Sequence, residues 1–435
     1  MKAGETISKV LDKGLCTGCG TCAGICPNAA IQMVKDESKG IYLPQLDKGN
    51  CNECGICLEA CPGYGVNFKA LNSEIFGKEP EDILLGNYLG TYAGYATDQS
   101  IRYNSASGGM VTALLVFALE KGIIDGALVT GISSEDPLES RPFIARTREE
   151  ILSACKSKYC PVPANVALEE ILRQDGNFAV VGLPCHIHGI RKAESVDKEL
   201  DQRIVLHFGL FCSATRTFQA MEYILYRAGI NPARVVEFRH RGQGRPGQFV
   251  AILSDGKNIP LPFSQYYAQS MRSFFIPTRC TLCSDHSNEL SDISFGDIGL
   301  PEFQNDSIGV SCIISRTEIG NRFLKQAASA GAIELTEISS YRLEQSKIGS
   351  LYRKKKGSKG RRKLFHLLRK PIPEDNVNLP NPSLASYAHT TFLYTEMYIS
   401  GKRWLWGLVG FLSTVLGWGS RLLNRVGRKL PAKST

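Results

Sequence analysis

Residues 16–27 read CTGCGTCAGICP and residues 51–62 read CNECGICLEACP. Both carry Cys-x2-Cys-x2-Cys-x3-Cys-Pro, with every gap identical, so this segment is an internal duplication. Three closely spaced thiolates can wrap three corners of a cubane cluster. The fourth Cys, turned away by the Pro that follows, reaches the cluster of the other copy. The spacing therefore predicts one 4Fe4S cluster on Cys16, Cys19, Cys22 and Cys61, and a second on Cys51, Cys54, Cys57 and Cys26. A zinc site prefers four ligands with a longer gap between CxxC pairs, which this run does not offer. Two clusters in one small module mean electron relay.

These eight cysteines are part of fifteen in a chain of 435 residues. The charged start MKAGETISKVLDKG holds no secretory apolar core, so the expected location is the reducing cytoplasm, where clustered thiols bind metal rather than pair. The length suggests two or three domains. With 43% hydrophobic and 21% charged residues, disorder, collagen and a multi-span membrane protein are excluded. The net charge of +9 is unevenly placed: 17 Lys and Arg face 3 Asp and Glu from Arg353 onward, leaving 34 against 39 before it (51 − 17 and 42 − 3). The excess carries no RNA-binding signature, so no nucleic-acid partner is expected.

From about residue 84 strands and helices alternate. Gly108 and Gly109 open an apolar helix, MVTALLVFALEKG, whose first amides suit a phosphate group, with Ser105 and Ser107 placed to cap it or to meet that phosphate. GALVTG, FAVVGLP and RIVLHFGLF read as buried strands. The last two end in Cys185 and Cys212. If they are parallel neighbours, both thiols lie at the carboxyl edge, where open α/β sheets place ligands. Cys280 and Cys283 complete a four-thiol set. That set is read either as a third 4Fe4S cluster or as a structural zinc bound by Cys280, Cys283, Cys185 and either Cys212 or His186.

Gly242-x-Gly244-x-x-Gly247 matches a dinucleotide fingerprint, but Pro246 sits inside it and both flanks read as strands. We read it as a hairpin loop whose Arg239, Arg241 and Arg245 are solvated, with contact to an anionic ligand as the alternative. Cys155, Cys160 and Cys312 read as small core hydrophobes. His186 and His188 read as satisfied structural histidines, with a proton-handling role for His186 as the sharper alternative.

The ferredoxin repeat resembles the bacterial two-cluster ferredoxins over residues 10–68. Together with NSASGGMVTALLVFALEKGIIDGALVTG, SKYCPVP, AVVGLPCHIHGIR, the strand-ending FC, RCTLCSD and SDISFGD, it resembles the coenzyme F420 hydrogenase/dehydrogenase beta-subunit family over residues 10–340. Coenzyme F420 is a deazaflavin. The resemblance implies a flavoprotein with FAD beside a 4Fe4S cluster, passing a hydride to or from one partner and single electrons through the clusters. It tips the third metal site towards iron and sulfur. It also implies a flavin pocket built from Ser105, Ser107, Gly108, Gly109, Thr112, Ser157, Lys158, Tyr159, Gly182 and Pro184, with Lys158 and His186 as catalytic candidates. The implied partners are coenzyme F420 or another hydride carrier, and a ferredoxin or partner redox subunit. The contrasting expectations are a non-catalytic relay subunit and a family reductase acting on another substrate.

The fold class expected is α/β and α+β multidomain. A two-cluster ferredoxin domain (1–75) precedes a mixed α/β flavin-binding domain (84–230), a region with the CxxC (231–345), and a basic linker with a C-terminal amphipathic helix (346–435). Residues 353–370 hold eight basic residues in their first eleven and read as a solvated linker. WLWGLVGFLSTVLGWGS, from Trp404 to Ser420, would be about 25 Å long as a helix, marginal against a hydrocarbon core near 30 Å. Arg403, Gly407, Gly410, Thr414, Gly417, Arg421, Asn424 and Arg428 form a small and polar stripe at steps of three and four. Residues 402–429 are therefore expected as a helix lying on the inner face of an anionic membrane, with Trp404, Trp406 and Trp418 at the headgroups.

Overall fold

The structure, a computed structural model, describes residues 4–268, 271 and 273–413. In the N-terminal module β1 (Ile31–Asp36) and β2 (Ile41–Leu46) pair antiparallel, Ile31 opposite Leu46. Each cysteine run forms a short helix, Thr21–Gly24 and Ile56–Glu59, entered through a glycine in the left-handed region: Gly20 at φ +86° and Gly55 at φ +81°. Only glycine takes that conformation without strain, so the duplicated CxxCG sets the same turn twice.

The body is built on β3 (Gly90–Ala96), β4 (Gly126–Ile132), β5 (Ser140–Ala145), β6 (Phe178–Gly182) and β7 (Ile204–Leu210). A separate antiparallel sheet, β8 (Val235–Arg239), β9 (Gln248–Leu253) and β10 (Asn258–Pro262), follows. The chain then returns with β11 (Ile293–Asp297), β12 (Ser311–Ser315) and β13 (Ile333–Glu337) to complete an eight-stranded sheet of order β13-β3-β12-β11-β7-β6-β4-β5. This sheet takes strands from both sides of residue 230. Its centre, β11-β7-β6-β4, is parallel.

The parallel strands are mainly apolar because both faces are covered. Ala179 of β6 packs with Met110, Leu114 and Phe117 of the helix Met110–Glu120 on one face. Phe178 and Val180 pack with Ile187 and Ile190 of the helix Pro184–Val196 on the other. Because β4, β6, β7 and β11 run the same way, their carboxyl ends share one edge, and Cys185 and Cys212 follow directly from it. The Gly242–Gly247 loop joins antiparallel β8 and β9, with no helix to receive a pyrophosphate.

Two readings of the tail are corrected. The basic run is no solvated linker: it lies in the helices Ser340–Lys354 and Lys356–Leu367, with Lys354, Lys355 and Arg361 buried. The charges are drawn in by partners distant in sequence, as in the ion pair of Lys355 with Glu289. Trp406 is not at a membrane boundary either. It is 6% exposed, its ring 5.5 Å from that of Tyr223, and its Nε1–H donates to Ser400 O at 2.9 Å. Trp404, by contrast, is 78% exposed. Trp418, Arg421 and Arg428 lie outside the described residues. Among the described residues no helix is long and apolar enough to cross a membrane.

Candidate functional site

The thiols of the duplicated module divide across the repeat. Cys16, Cys22 and Cys61 are all pushed upward, first by burial and then chiefly by thiols of the same group, with Cys57 a lesser influence on Cys22. Burial pushes Cys61 up to about 11, reinforced by Cys19. Cys57 is raised by burial and by Cys54 and Cys26. Cys61 of the second copy thus stands with the first copy's thiols, and Cys26 of the first with the second's. Backbone amides donate to the sulfurs in equivalent positions of the two copies: Gly18 N to Cys16 Sγ and Glu53 N to Cys51 Sγ, both at 3.4 Å. Cys54 is exposed, whereas Cys19, Cys22 and Cys61 are buried against the body.

That inner side is bolted down. Lys192 Nζ donates to Cys61 O (2.8 Å) and Gly65 O (2.6 Å), and Asn165 N donates to Cys19 O (2.9 Å). Arg279, beside the CxxC, donates to Pro62 O and Gly63 O at 3.2 Å.

Cys185, Cys212, Cys280 and Cys283 line one small cavity, together with Thr17 and Pro62 of the N-terminal module and Lys354. Burial pushes Cys212 up to about 12, partly offset by Lys354 and reinforced by Cys280 and Cys283. Cys185 is raised by burial and then by Cys19, ahead of Cys212, Cys280 and Cys283, so the inner thiol set and the third set adjoin. Among the described residues no three or more His, Cys, Asp or Glu side chains close around a single-ion position. A tetrahedral zinc would draw four thiolates to within roughly 3.8 Å of one another, whereas a cubane takes them at the corners of a larger body. The nearby His188 is engaged with Asp285, Nε2 to Oδ2 2.8 Å.

On the other side of Cys212 a groove of about 580 Å³ runs along the carboxyl edge of the sheet. It gathers Ser105, Ser107, Gly109 and Thr112 with Ser157, Lys158 and Tyr159, two stretches separated in sequence. Ser105 and Ser107 do not cap the helix. Their hydroxyls donate to Ile101 O (2.7 Å) and Val310 O (3.0 Å), and Gly109 at φ +75° is the cap residue, leaving the helix amides without a side-chain acceptor. Lys158 lines the groove, but its ammonium donates to the carbonyls of Ala154, Cys155 and Lys156. Burial lowers its pKa to about 8.

Gly108, Gly182, Pro184 and His186 are not on the groove wall; Pro184 lines the thiol cavity instead. His186 Nδ1 accepts from Leu183 N at 3.2 Å, and burial lowers its pKa to about 4, which suits a neutral ring fastening the helix start. Cys160 and Cys312 are core residues, while Cys155 is half-buried at the groove.

Sequence reasoning missed Arg216, Phe263, Tyr267, His286, Lys347 and Arg353 on the groove wall. The Tyr267 ring packs against Tyr159, centroids 4.3 Å apart and tilted by 45°. Arg241, read as a solvated loop charge, is buried and pairs with Asp297 at 2.8 Å. The strand-ending Asp297 in SDISFGD was a usable signal for a sheet-edge site. The cations of a distant helix carried none.

An iron–sulfur module seated on an α/β body with a ligand groove at its sheet edge defines an iron–sulfur oxidoreductase subunit. Family models agree: the 4Fe-4S dicluster domain matches residues 15–66. The coenzyme F420 hydrogenase/dehydrogenase beta-subunit N-terminal model matches residues 91–169, and the C-terminal model residues 175–341. The chain belongs to the coenzyme F420 hydrogenase/dehydrogenase beta-subunit family. It is 32% identical over 262 residues to the coenzyme F420 hydrogenase subunit beta of Methanothermobacter thermautotrophicus, covering 59% of this chain and 87% of that one. It is 28% identical over 355 residues to the coenzyme F420-dependent sulfite reductase of Methanocaldococcus jannaschii, covering 77% of this chain and half of that one. A chain of the F420-reducing NiFe hydrogenase complex from Methanosarcina barkeri superposes with a TM-score of 0.53 at 25% identity, covering 67% of this chain and 98% of that one.

Proposed function

We propose that the protein is an iron–sulfur flavoprotein oxidoreductase. It exchanges a hydride with coenzyme F420 or a similar carrier at a groove-bound FAD, and single electrons with a ferredoxin or partner redox subunit through three 4Fe4S clusters. The observation that carries this reading is Cys212, which lines both the four-thiol cavity and the groove. The thiol sets then form one file: exposed Cys54 with Cys26, Cys51 and Cys57; the inner set with Cys61; the third set; the groove.

The groove fits a flavin dinucleotide in volume and in chemistry. A Cβ on Gly108 would strike Gly94 O at 2.6 Å, so the backbone there is packed with no room for a side chain, and the uncapped helix start beside it offers amide donors to a diphosphate. Arg216 and Arg353 add positive charge, and Tyr159 with Tyr267 offers aromatic surface. FAD, when bound, supplies the conversion between a two-electron hydride partner and one-electron clusters. The Arg241–Asp297 pair keeps both charges fixed at the sheet edge.

A second reading concerns attachment. Trp404 and Phe411, 78% and 64% exposed, lie beside Lys402 and Arg403 on the segment whose other side packs through Trp406 and Val409. We propose that this apolar face rests on an anionic membrane surface, as the exposed aromatic residues and Lys402 favour, Arg403 being paired with Glu222.

The deciding experiment uses anaerobically reconstituted protein loaded with FAD. Reduced ferredoxin should bleach the flavin, and Cys54→Ala should break that route while hydride exchange between F420 and FAD continues. Loss of both half-reactions in a folded, flavin-loaded variant refutes the file. Flavin binding with no exchange with reduced F420 leaves the relay-subunit reading in its place.

A further inference from the structure

The basic run beyond the family match, which ends at residue 341, closes over the third thiol site. Lys354 Nζ donates to Cys280 O at 3.4 Å, Arg361 Nε to Thr281 O, and Ser358 Oγ to Leu282 O at 3.1 Å. Arg362 Nη2 also reaches Leu282 O, at 2.8 Å. Every carbonyl from Cys280 to Leu282 is thus held by one strap. Its members do not have equal charge surroundings. Lys355 is paired with Glu289 and Arg362 with Asp375. Lys354, 3% exposed, lines the cavity with all four thiols and makes no ion pair among the described residues. The acids that share that cavity are engaged elsewhere, Asp285 by His188 and Asp375 by Arg362. The other cation there, Arg279, is spent on Pro62 and Gly63 carbonyls.

A buried ammonium without a carboxylate is costly unless another anion faces it. Four thiolates around a 4Fe4S core leave such a charge, and reduction adds one more negative unit.

We infer that Lys354 is a positioning residue of the third cluster that raises its reduction potential. The inference depends on the third cluster proposed above. Charge near a cluster is one of the protein's established controls on its potential. The strap lies beyond the residues that the family model matches, and it places that charge beside Cys280.

The test is an electron-paramagnetic-resonance redox titration of reconstituted full-length protein, with the third signal assigned by its absence in Cys283→Ser. Lys354→Met should lower that cluster's one-electron reduction constant at least tenfold, which is 59 mV. Lys354→Arg should keep it, and the ferredoxin signals should not move in either variant. A Lys354→Met protein with full iron and an unchanged potential overturns the inference. So does a loss of iron in Lys354→Met that Lys354→Arg fails to restore, since the residue would then be merely structural. Iron loss that Lys354→Arg does restore supports the need for charge. Wild-type protein with only the two ferredoxin signals would refute the third cluster itself, a failure distinct from that of Lys354.

Discussion

Exchange of the fourth ligand between the two halves of the ferredoxin module can be counted in iron. Cys61 follows the second run but stands with Cys16, Cys19 and Cys22, and Cys54 stands with Cys26 and Cys57. On that placement, replacing Cys61 by Ser should remove a ligand of the inner cluster, and replacing Cys54 by Ser one of the outer. With four irons per set, the full protein should hold about twelve, each single variant about eight, and the double variant about four. Without the exchange both cysteines would serve one cluster, and the double variant would still hold about eight. The assay is iron per chain after anaerobic reconstitution, with the paramagnetic signals of the singles compared. The inner site is 6% exposed at Cys61 and tethered through Lys192, so circular dichroism should accompany the analysis to show the fold intact. A double variant with about eight irons, or singles that lose the same signal, refutes the placement.

Cys283→Ser should remove about four irons, leave the ferredoxin signals intact and slow electron exchange between them and the flavin, as read by stopped-flow absorbance. Asp292 accepts from His207 N (2.7 Å), His207 Nδ1 (2.9 Å), Thr317 Oγ1 (2.8 Å) and Arg191 Nη2 (3.2 Å). Asp292→Asn should cost about 3–5 kcal/mol in denaturant unfolding, because it strands buried charges. Burial alone would raise the Asp292 carboxyl, but Arg191 and His207 hold it below the usual range. Its contribution is therefore complete above the unfolded value near 3.9 and lost as pH falls below it, so the acid limb of the stability curve should flatten in Asp292→Asn. Trp404→Glu combined with Phe411→Glu should abolish sedimentation with phosphatidylserine vesicles without changing iron content; unchanged sedimentation removes the membrane proposal.

The cysteine runs were legible because a cluster's first three ligands sit within one turn of chain, so spacing alone carries the chemistry. Cys185 and Cys212 were legible as strand ends once parallel neighbours were assumed, and the β6–β7 register supplies that neighbourhood. The sequence by itself determined the iron–sulfur module, the α/β alternation and the likeness to one family. Only the tertiary structure decided where the charges of the tail belong. Lys354 meets a carbonyl 74 residues away and Lys355 a carboxylate 66 residues away, and no local pattern separates such lysines from solvated ones. Trp406 posed the same difficulty for apolar residues, since membrane and core reward the same side chain, and Tyr223 rather than a lipid covers it. The groove wall likewise needed Arg216, Tyr267 and Arg353 brought from three segments. Ligation geometry is set by near neighbours along the chain, whereas the solvation of a charge or a ring is set by whatever the fold brings to it.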